Sequence, residues 1–362
     1  MGPRDTRQEG ADGKRKAIAL VAWNVPSPIV LTVDPQAPDP RAIAEAVRIL
    51  RSGGLVAMPT ETVYGLAARA FDERAIARVY AAKGRPVHHP LIAHVAAEAE
   101  ARALAASWPE RASRLARAFW PGPLTLIVDR AEVVPAAVAG GASSVAVRAP
   151  SHPVARALLA ALGEPVAAPS ANRYQGLSPT TAAHVVKELG DEVDLVLDAG
   201  PCEAGIESTV VDVRGEHPRV LRPGALDLAS LRRVLPDVES GVTLASGSQP
   251  RVSPGMEGRH YAPRARLLLA DTWEEARRIA YGMAGTGARV GLVTYEKRTT
   301  SVPEQRILVR TLPRDPTQYA RLLYRTLHDL DDAGVDAIVV QGVPGDEAWW
   351  AVADRLKRGA AT

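Results

Sequence analysis

One cysteine, Cys202, occurs in the 362 residues, and that scarcity excludes two classes at once. A disulfide framework needs paired thiols and a structural zinc site needs several, so the chain fits a reducing, cytoplasmic setting. Aromatic residues make up only 4%. Cores must therefore be built mainly from Ala, Val, Leu and Ile, and the stacking platforms of general RNA binding are missing. No apolar run approaches the roughly 18 residues of a membrane span. The charged N-terminus (Arg4, Arg7, Lys14, Arg15, Lys16) precedes only the brief apolar stretch Ala17–Trp23, too short for a secretory signal. Residues 1–29 read as an N-terminal extension. A large excess of charge of one sign is also lacking: a net charge of +3 permits an anionic ligand without arguing for a nucleic-acid coat.

Familiar nucleotide and hydrolase signatures are absent as well. No glycine-rich loop ends in Gly-Lys-Ser/Thr, and there is no Gly-x-Ser-x-Gly elbow and no His-Glu-x-x-His helix. Gly285-Thr286-Gly287 has Val290 in the third glycine's place of a dinucleotide fingerprint, and it precedes its strand instead of following one.

What is present is an alternation of strand and helix patterns over a length that suits two domains. Asp39-Pro40 opens a helix with Ile43, Val47 and Leu50 at helical spacing, ending at Gly53, and Asp72 caps a second that ends at Gly84. Short apolar runs read as strands at 55–58, 91–95, 124–129, 145–148, 166–168, 195–197, 209–213 and 220–222. Further helices are expected at 109–119, 153–162, 180–189 and 226–234. Buried strands between amphipathic helices predict an α/β sheet covered on both faces. Several strands follow one another without room for a helix, so the sheet is expected to be mixed. Pro236–Pro263 holds Ser246-Gly247-Ser248 and little apolar periodicity, which marks a linker. Beyond it, strands at 267–269, 290–294 and 337–340 and helices at 273–283, 317–330 and 347–356 predict a smaller α/β domain. The division is an extension (1–29), a first domain (30–235), a linker (236–265) and a second domain (266–362).

Four groups of residues carry chemistry. Pro59-Thr60-Glu61-Thr62-Val63-Tyr64-Gly65 sets hydroxyls and a carboxylate at a strand's end, where ligands of α/β folds bind; a strand-to-helix turn with a capping Thr is the plain alternative. Lys83-Gly84-Arg85-Pro86, followed by His88, His89 and His94, suits polyphosphate or forms a solvated basic loop. Only six of the 44 cations are lysine, which singles out Lys83. Pro169-Ser170-Ala171-Asn172 with Ser178-Pro179-Thr180 offers donors beside a helix N-terminus, or a turn and its cap. Ser143-Ser144 through Arg148, Glu207-Ser208-Thr209 and Arg222-Pro223-Gly224 place polar groups at strand boundaries. Arg148, after Val-Ala-Val, should lie at the sheet's end, where it would clamp a carboxylate or serve as an ordinary strand-end charge. Physics alone reaches an α/β protein with a polar, cationic rim suited to an anionic ligand.

Taken in this order, and with Trp120-Pro121-Gly122-Pro123-Leu124-Thr125, Ser253-Pro254-Gly255-Met256 and His260-Tyr261-Ala262-Pro263, these segments resemble the YrdC-like threonylcarbamoyl-AMP synthase family in its long, two-domain form. The resemblance runs from about Val30 to the C-terminus. It implies a mixed, twisted open sheet joined by a long linker to a smaller Rossmann-like α/β domain. It implies that Thr62, His94, Arg148, Ala168 and Ser208 bind L-threonine. It assigns Lys83, Arg85, His89, Ser144, Ser170, Asn172, Ser178, Arg222 and Tyr261 to ATP, with Lys83 and Arg85 catalytic and Tyr261 folding back over the nucleotide. His88 departs from the acidic or amide residue expected there. The substrates implied are L-threonine, bicarbonate and ATP, with Mg2+. The partners implied are the downstream tRNA threonylcarbamoyl transferase machinery, with a weak tRNA contact and no membrane. An RNA-binding module and a related carbamoyl transferase are the rival readings. The second domain carries no recognisable chemical motif; docking the linker or a partner subunit is the expectation for it.

Overall fold

The computed structural model describes residues 28–241, 258–295 and 306–361. Most of the expected extension, the Ser246–Ser248 patch and Ser253–Met256 lie outside the described residues. The first domain runs β1 (Ile29–Thr32), α1 (Pro40–Arg51), β2 (Val56–Met58), β3 (Gly65–Arg69), α2 (Glu73–Lys83), β4 (Ile92–His94), α3 (Glu98–Ala103), α4 (Glu110–Phe119), β5 (Leu124–Asp129), β6 (Ser144–Arg148), α5 (Pro153–Leu162), β7 (Val166–Ala167), α6 (Ala182–Leu189), β8 (Leu195–Asp198), β9 (Thr209–Asp212), β10 (Arg219–Arg222), α7 (Leu228–Val234) and β11 (Glu239–Ser240). Its strands form one 11-stranded sheet in the order β1-β8-β2-β3-β7-β4-β6-β5-β9-β10-β11. The sheet is mixed, as expected. β4–β6 and β5–β9 pair parallel, whereas β2–β3, β7–β4 and β5–β6 pair antiparallel.

Both faces are covered. Successive residues of a strand point to opposite faces, so in β2 Ala57 joins the core under α2, α4 and α6, while Val56 and Met58 join the core under α1 and α5. Leu195, Val196 and Leu197 of β8 divide the same way. These cores are largely Ala, Val, Leu and Ile, as the shortage of aromatics required.

The second domain runs β12 (Arg266–Ala270), α8 (Trp273–Gly285), β13 (Val290–Thr294), β14 (Ile307–Thr311), α9 (Pro316–Asp332), β15 (Ala337–Gln341) and α10 (Trp350–Ala360). Its four strands are all parallel, in the order β12-β15-β13-β14. A further core joins the domains: Val63, Leu177 and Ile206 of the first pack with Leu323, Tyr324, Val352 and Leu356 of the second, and with Tyr261 between them. Gly205, at φ 70°, brings the first domain's backbone against α9; a Cβ there would lie 2.4 Å from the Arg321 carbonyl oxygen. Between the domains, the amides of Arg264 and Ala265 donate to Asp331, and Ala262 donates to the Gln175 carbonyl.

Two differences from the sequence expectation bear on the site. Pro59–Gly65 leads from strand to strand, not into a helix, because Gly65–Arg69 turns back antiparallel to β2. The first sheet also runs on to Ser240, past the expected boundary at 235, through β11.

Candidate active site

The turn between β2 and β3 is organised by one hydroxyl. Thr60 donates to the Val63 carbonyl at 2.6 Å and accepts from the amides of Thr62 and Val63. Its single proton is thus spent, so Thr62 is the donor in the 2.9 Å contact between the two side chains. Thr62 keeps its lone pairs for the cavity that it lines. Between the threonines, Glu61 accepts from the Ser151 amide at 3.2 Å and pairs with Arg148 Nη2 at 2.8 Å.

Arg148 ends β6, as its sequence position required, and β4–β6 pairing sets it beside His94. Its side chain is 5% exposed. The Glu61 contact is close but poorly aligned, and Arg148 Nε makes no hydrogen bond. A buried guanidinium with donors in reserve is built for an incoming acceptor. His94 Nδ1 lies 3.1 Å from the Ile92 carbonyl, which can only accept, so Nδ1 carries the proton. Burial first and the Arg148 charge second push His94 down to about 3. It is therefore a neutral imidazole with Nε2 left to accept. On the opposite wall Ser208 Oγ meets Thr125 Oγ1 at 2.7 Å and Arg222 Nη2 at 3.0 Å. Ala168 completes this end. Gly65 approaches it so closely that a Cβ would lie 3.3 Å from the Ala168 Cβ.

The second cluster grows from the end of α2. Asp72 caps the helix by accepting from the amides of Arg74 and Ala75, and Gly84, at φ 61°, ends it. Lys83 is consequently the last helical residue, not part of a solvated loop, and is 2% exposed. Its Nζ donates at 2.6 Å to the carbonyls of both Ser170 and Asn172. Burial, then the neighbouring Arg85, pushes its pKa well below the usual amine value. Arg85 Nη2 donates to the Pro90 carbonyl at 3.1 Å, and Asn172 Nδ2 donates to the carbonyls of Arg173 and Gly176.

All five residues expected to hold threonine, Thr62, His94, Arg148, Ala168 and Ser208, line one cavity. It encloses about 50 Å³ and opens to solvent. Arg85, Ser170, Arg222 and Tyr261 line it too. Lys83, His89, Ser144, Asn172 and Ser178 do not; they are buried around it. Ser144 begins β6, at the far end of the strand from Arg148. His89 lies edge-on to His88 and 5.5 Å from the ring of Tyr174, which in turn is 6.2 Å from His260. Tyr261 is 2% exposed, sits at φ 60° and has a hydroxyl without a hydrogen-bond partner.

Three contributors carried no assignment from sequence. Glu61 and Glu207 stood inside quoted motifs, and their acidity beside Arg148 and Arg222 was the available signal. Arg355 of α10 had only its position on the apolar face with Val352 and Leu356. It donates to Glu207 at 2.7 Å. Burial alone would raise the Glu207 carboxyl, but Arg355, then Arg222 and the hydrogen bond from Ser178, outweigh it and hold it at about 2.

Among the described residues no cluster of three or more His, Cys, Asp or Glu side chains could hold a metal ion. Glu207 is the one carboxylate on the cavity's lining, and it is paired. The described residues thus supply no cage for the Mg2+ that the resemblance implies.

A polar, cationic pocket on a mixed sheet, with no nucleophile–base pair, defines a class of enzyme that activates anionic small molecules by positioning and charge neutralisation. Residues 48–224 match the family model described as "Telomere recombination", and residues 226–361 match that of the threonylcarbamoyl-AMP synthase C-terminal domain. The chain is 38% identical to the threonylcarbamoyl-AMP synthase of Pyrococcus abyssi, over 87% of this chain and 93% of that one. It is 35% identical to that of Bacillus subtilis, over 91% and 94%. A crystal structure of P. abyssi Sua5 complexed with L-threonine superposes with a TM-score of 0.84 at 36% identity, covering 92% of this chain and 97% of that one. The chain belongs to the two-domain, Sua5-type threonylcarbamoyl-AMP synthase family.

Proposed function

We propose that the chain makes threonylcarbamoyl-AMP and pyrophosphate from L-threonine, bicarbonate and ATP, as the activating step of the threonylcarbamoyladenosine modification of tRNA. The observation that carries this reading is the pairing of a buried Arg148, its Nε unspent, with a neutral His94 inside a pocket that also holds Arg85 and Arg222. Arg148 would take the threonine carboxylate, with Glu61 balancing its charge from beside it. His94 Nε2, Thr62 and Ser208 would accept from or donate to the hydroxyl and amine. The threonine amine would combine with bicarbonate, with loss of water, to form a carbamate whose oxygen attacks the α-phosphate of ATP as pyrophosphate leaves. The chain's part is to align the two anions and offset their charge.

Arg85, Ser170, Arg222 and Tyr261 border the space left for the nucleotide. Lys83 would act on it indirectly, by holding both carbonyls of the Ser170–Asn172 loop so that Ser170 stays on the cavity's lining. His89, Ser144, Asn172 and Ser178 would contact ATP only after a change in the pocket, or support those that do. Magnesium would arrive on the triphosphate. The activated product suits a separate tRNA-modifying transferase.

Pyrophosphate release measured with a panel of amino acids, with and without bicarbonate, tests this reading. Release that requires threonine and bicarbonate together supports it. Release indifferent to either would overturn it.

A further inference from the structure

The second domain reaches the pocket's wall at Glu207, through Arg355 and Tyr324. Arg355, on α10, is 1% exposed and the largest fully buried side chain in the described residues. Its Nε donates to Glu207 Oε2 at 2.7 Å, and its Nη2 donates to the Pro223 carbonyl at 2.9 Å. Asp354 takes Nη1 at 2.6 Å and is held in turn by Arg358 at 2.9 Å. The guanidinium also lies over the ring of Tyr261, 4.7 Å from its centre. From α9, the Tyr324 hydroxyl reaches both Glu207 oxygens at 3.2 Å.

Each target neighbours a residue of the pocket. Glu207 precedes Ser208, Pro223 follows Arg222, and Tyr261 lines the cavity itself. Arg222 donates to the Ser208 carbonyl at 2.9 Å, so the two first-domain segments are already tied together. They are in close contact at Gly224, where a Cβ would lie 2.4 Å from the Glu207 carbonyl oxygen. Arg355 closes this arrangement from outside. The arrangement also solves an electrostatic problem. Glu207 places a carboxylate in the wall of a pocket meant for anions, and an unpaired carboxylate there would oppose both substrates.

We propose that Arg355 is a positioning residue of the active site. From the second domain it neutralises Glu207, fixes the Ser208 and Arg222 segments and seats Tyr261, so that neither domain alone makes a complete pocket. This rests on the synthase reading given above, and it gives the second domain a chemical role.

The test compares the full-length wild type with R355M, R355K, R355M/E207Q and Y324F, measuring kcat and KM for threonine and ATP and the melting temperature of each. R355M is expected to lose at least about tenfold in kcat/KM. R355K keeps a charge but loses the planar fork, and should fall between R355M and wild type. In R355M/E207Q the unpaired anion is gone, so kcat/KM should recover at least about threefold over R355M. A role confined to holding the domains together would restore the melting temperature in the double variant without restoring the rate, and that outcome overturns the proposal. So does R355M with kcat/KM within about twofold of wild type. Should R355M not fold, Y324F removes the other second-domain donor; a loss of about threefold supports the proposal and an unchanged kcat/KM overturns it. A wild type that releases no pyrophosphate overturns the synthase reading, and this inference with it.

Discussion

Lys83 and Arg85 stand one glycine apart in sequence yet do different work in space. Lys83 is spent on the carbonyls of Ser170 and Asn172, whereas Arg85 borders the cavity. Lys83→Ala and Arg85→Ala are each expected to cut adenylate formation by at least about tenfold, or roughly 1.4 kcal/mol of transition-state stabilisation. The lysine variant should melt lower by more, because two buried carbonyls lose their donor where the arginine variant strips one. Pyrophosphate release and thermal melts of both variants check this, and wild-type rates in both would contradict it. At Arg148 the expected signature is different. Arg148→Lys keeps the charge but not the fork, so KM for threonine should rise about tenfold or more while KM for ATP changes little. Equal changes in both constants would show that Arg148 does not sort the two substrates. Arg148 was legible from sequence because three apolar strand residues precede it. Glu61, which pairs with it, could not be assigned, because a carboxylate inside a turn does not reveal its partner.

At the scale of elements, four strands, β1, β3, β11 and β14, escaped the sequence reading. Gly65–Arg69 reads Gly-Leu-Ala-Ala-Arg, with no β-branched residue to distinguish strand from helix, and it becomes a strand only by pairing with β2 and β7. Ile307–Thr311 lies at the edge of the second sheet, partly or fully exposed along its length, and its apolar run stops after three residues at Arg310. The long helices, by contrast, announced themselves through caps and spacing, and Asp72 and Gly84 bound α2 as expected. One triplet is explained only by packing: Gly224 in Arg222-Pro223-Gly224 lies against the backbone of Glu207–Thr209, with no space for a methyl group. Gly224→Ala should destabilise the fold by about 1–3 kcal/mol and reduce activity with it. An unchanged denaturation midpoint would contradict that reading.

Across the whole molecule, the linker's composition revealed two domains, but nothing local revealed the chemistry of their contact. Arg355 and Glu207 are 148 positions apart, and their pairing follows from tertiary packing alone. The same interface carries His184 of α6 stacked on His328 of α9, with ring centres 3.9 Å apart. Burial is the first cause that lowers His184 to about 4 and His328 to about 3, against an ordinary 6.5. Asp329, Lys187, Arg325 and Arg264 modify these values, and the stacked rings oppose each other's protonation. A histidine lowered on folding takes up more protons when unfolded, so stability is complete above its ordinary pKa and is lost as pH falls toward the folded value. His94 adds to this loss over the same range, toward about 3, and Glu207 adds to it below 4.5, toward about 2. Melting temperatures should therefore fall steadily from pH 6.5 toward 4. His184→Phe, which preserves a ring for the stack, should flatten that slope; an identical slope would remove the histidine pair from the explanation.

The central proposal is that this pocket brings threonine, bicarbonate and ATP to one reaction, and labelled bicarbonate examines it most directly. Purified protein is incubated with threonine, ATP, magnesium and isotopically labelled bicarbonate, and the products are resolved by mass spectrometry. The account predicts an adenylate that carries threonine and one labelled carbamoyl carbon, absent when threonine is omitted and strongly reduced in Arg148→Ala. An adenylate without the label, or no adenylate with all reactants present, would contradict it.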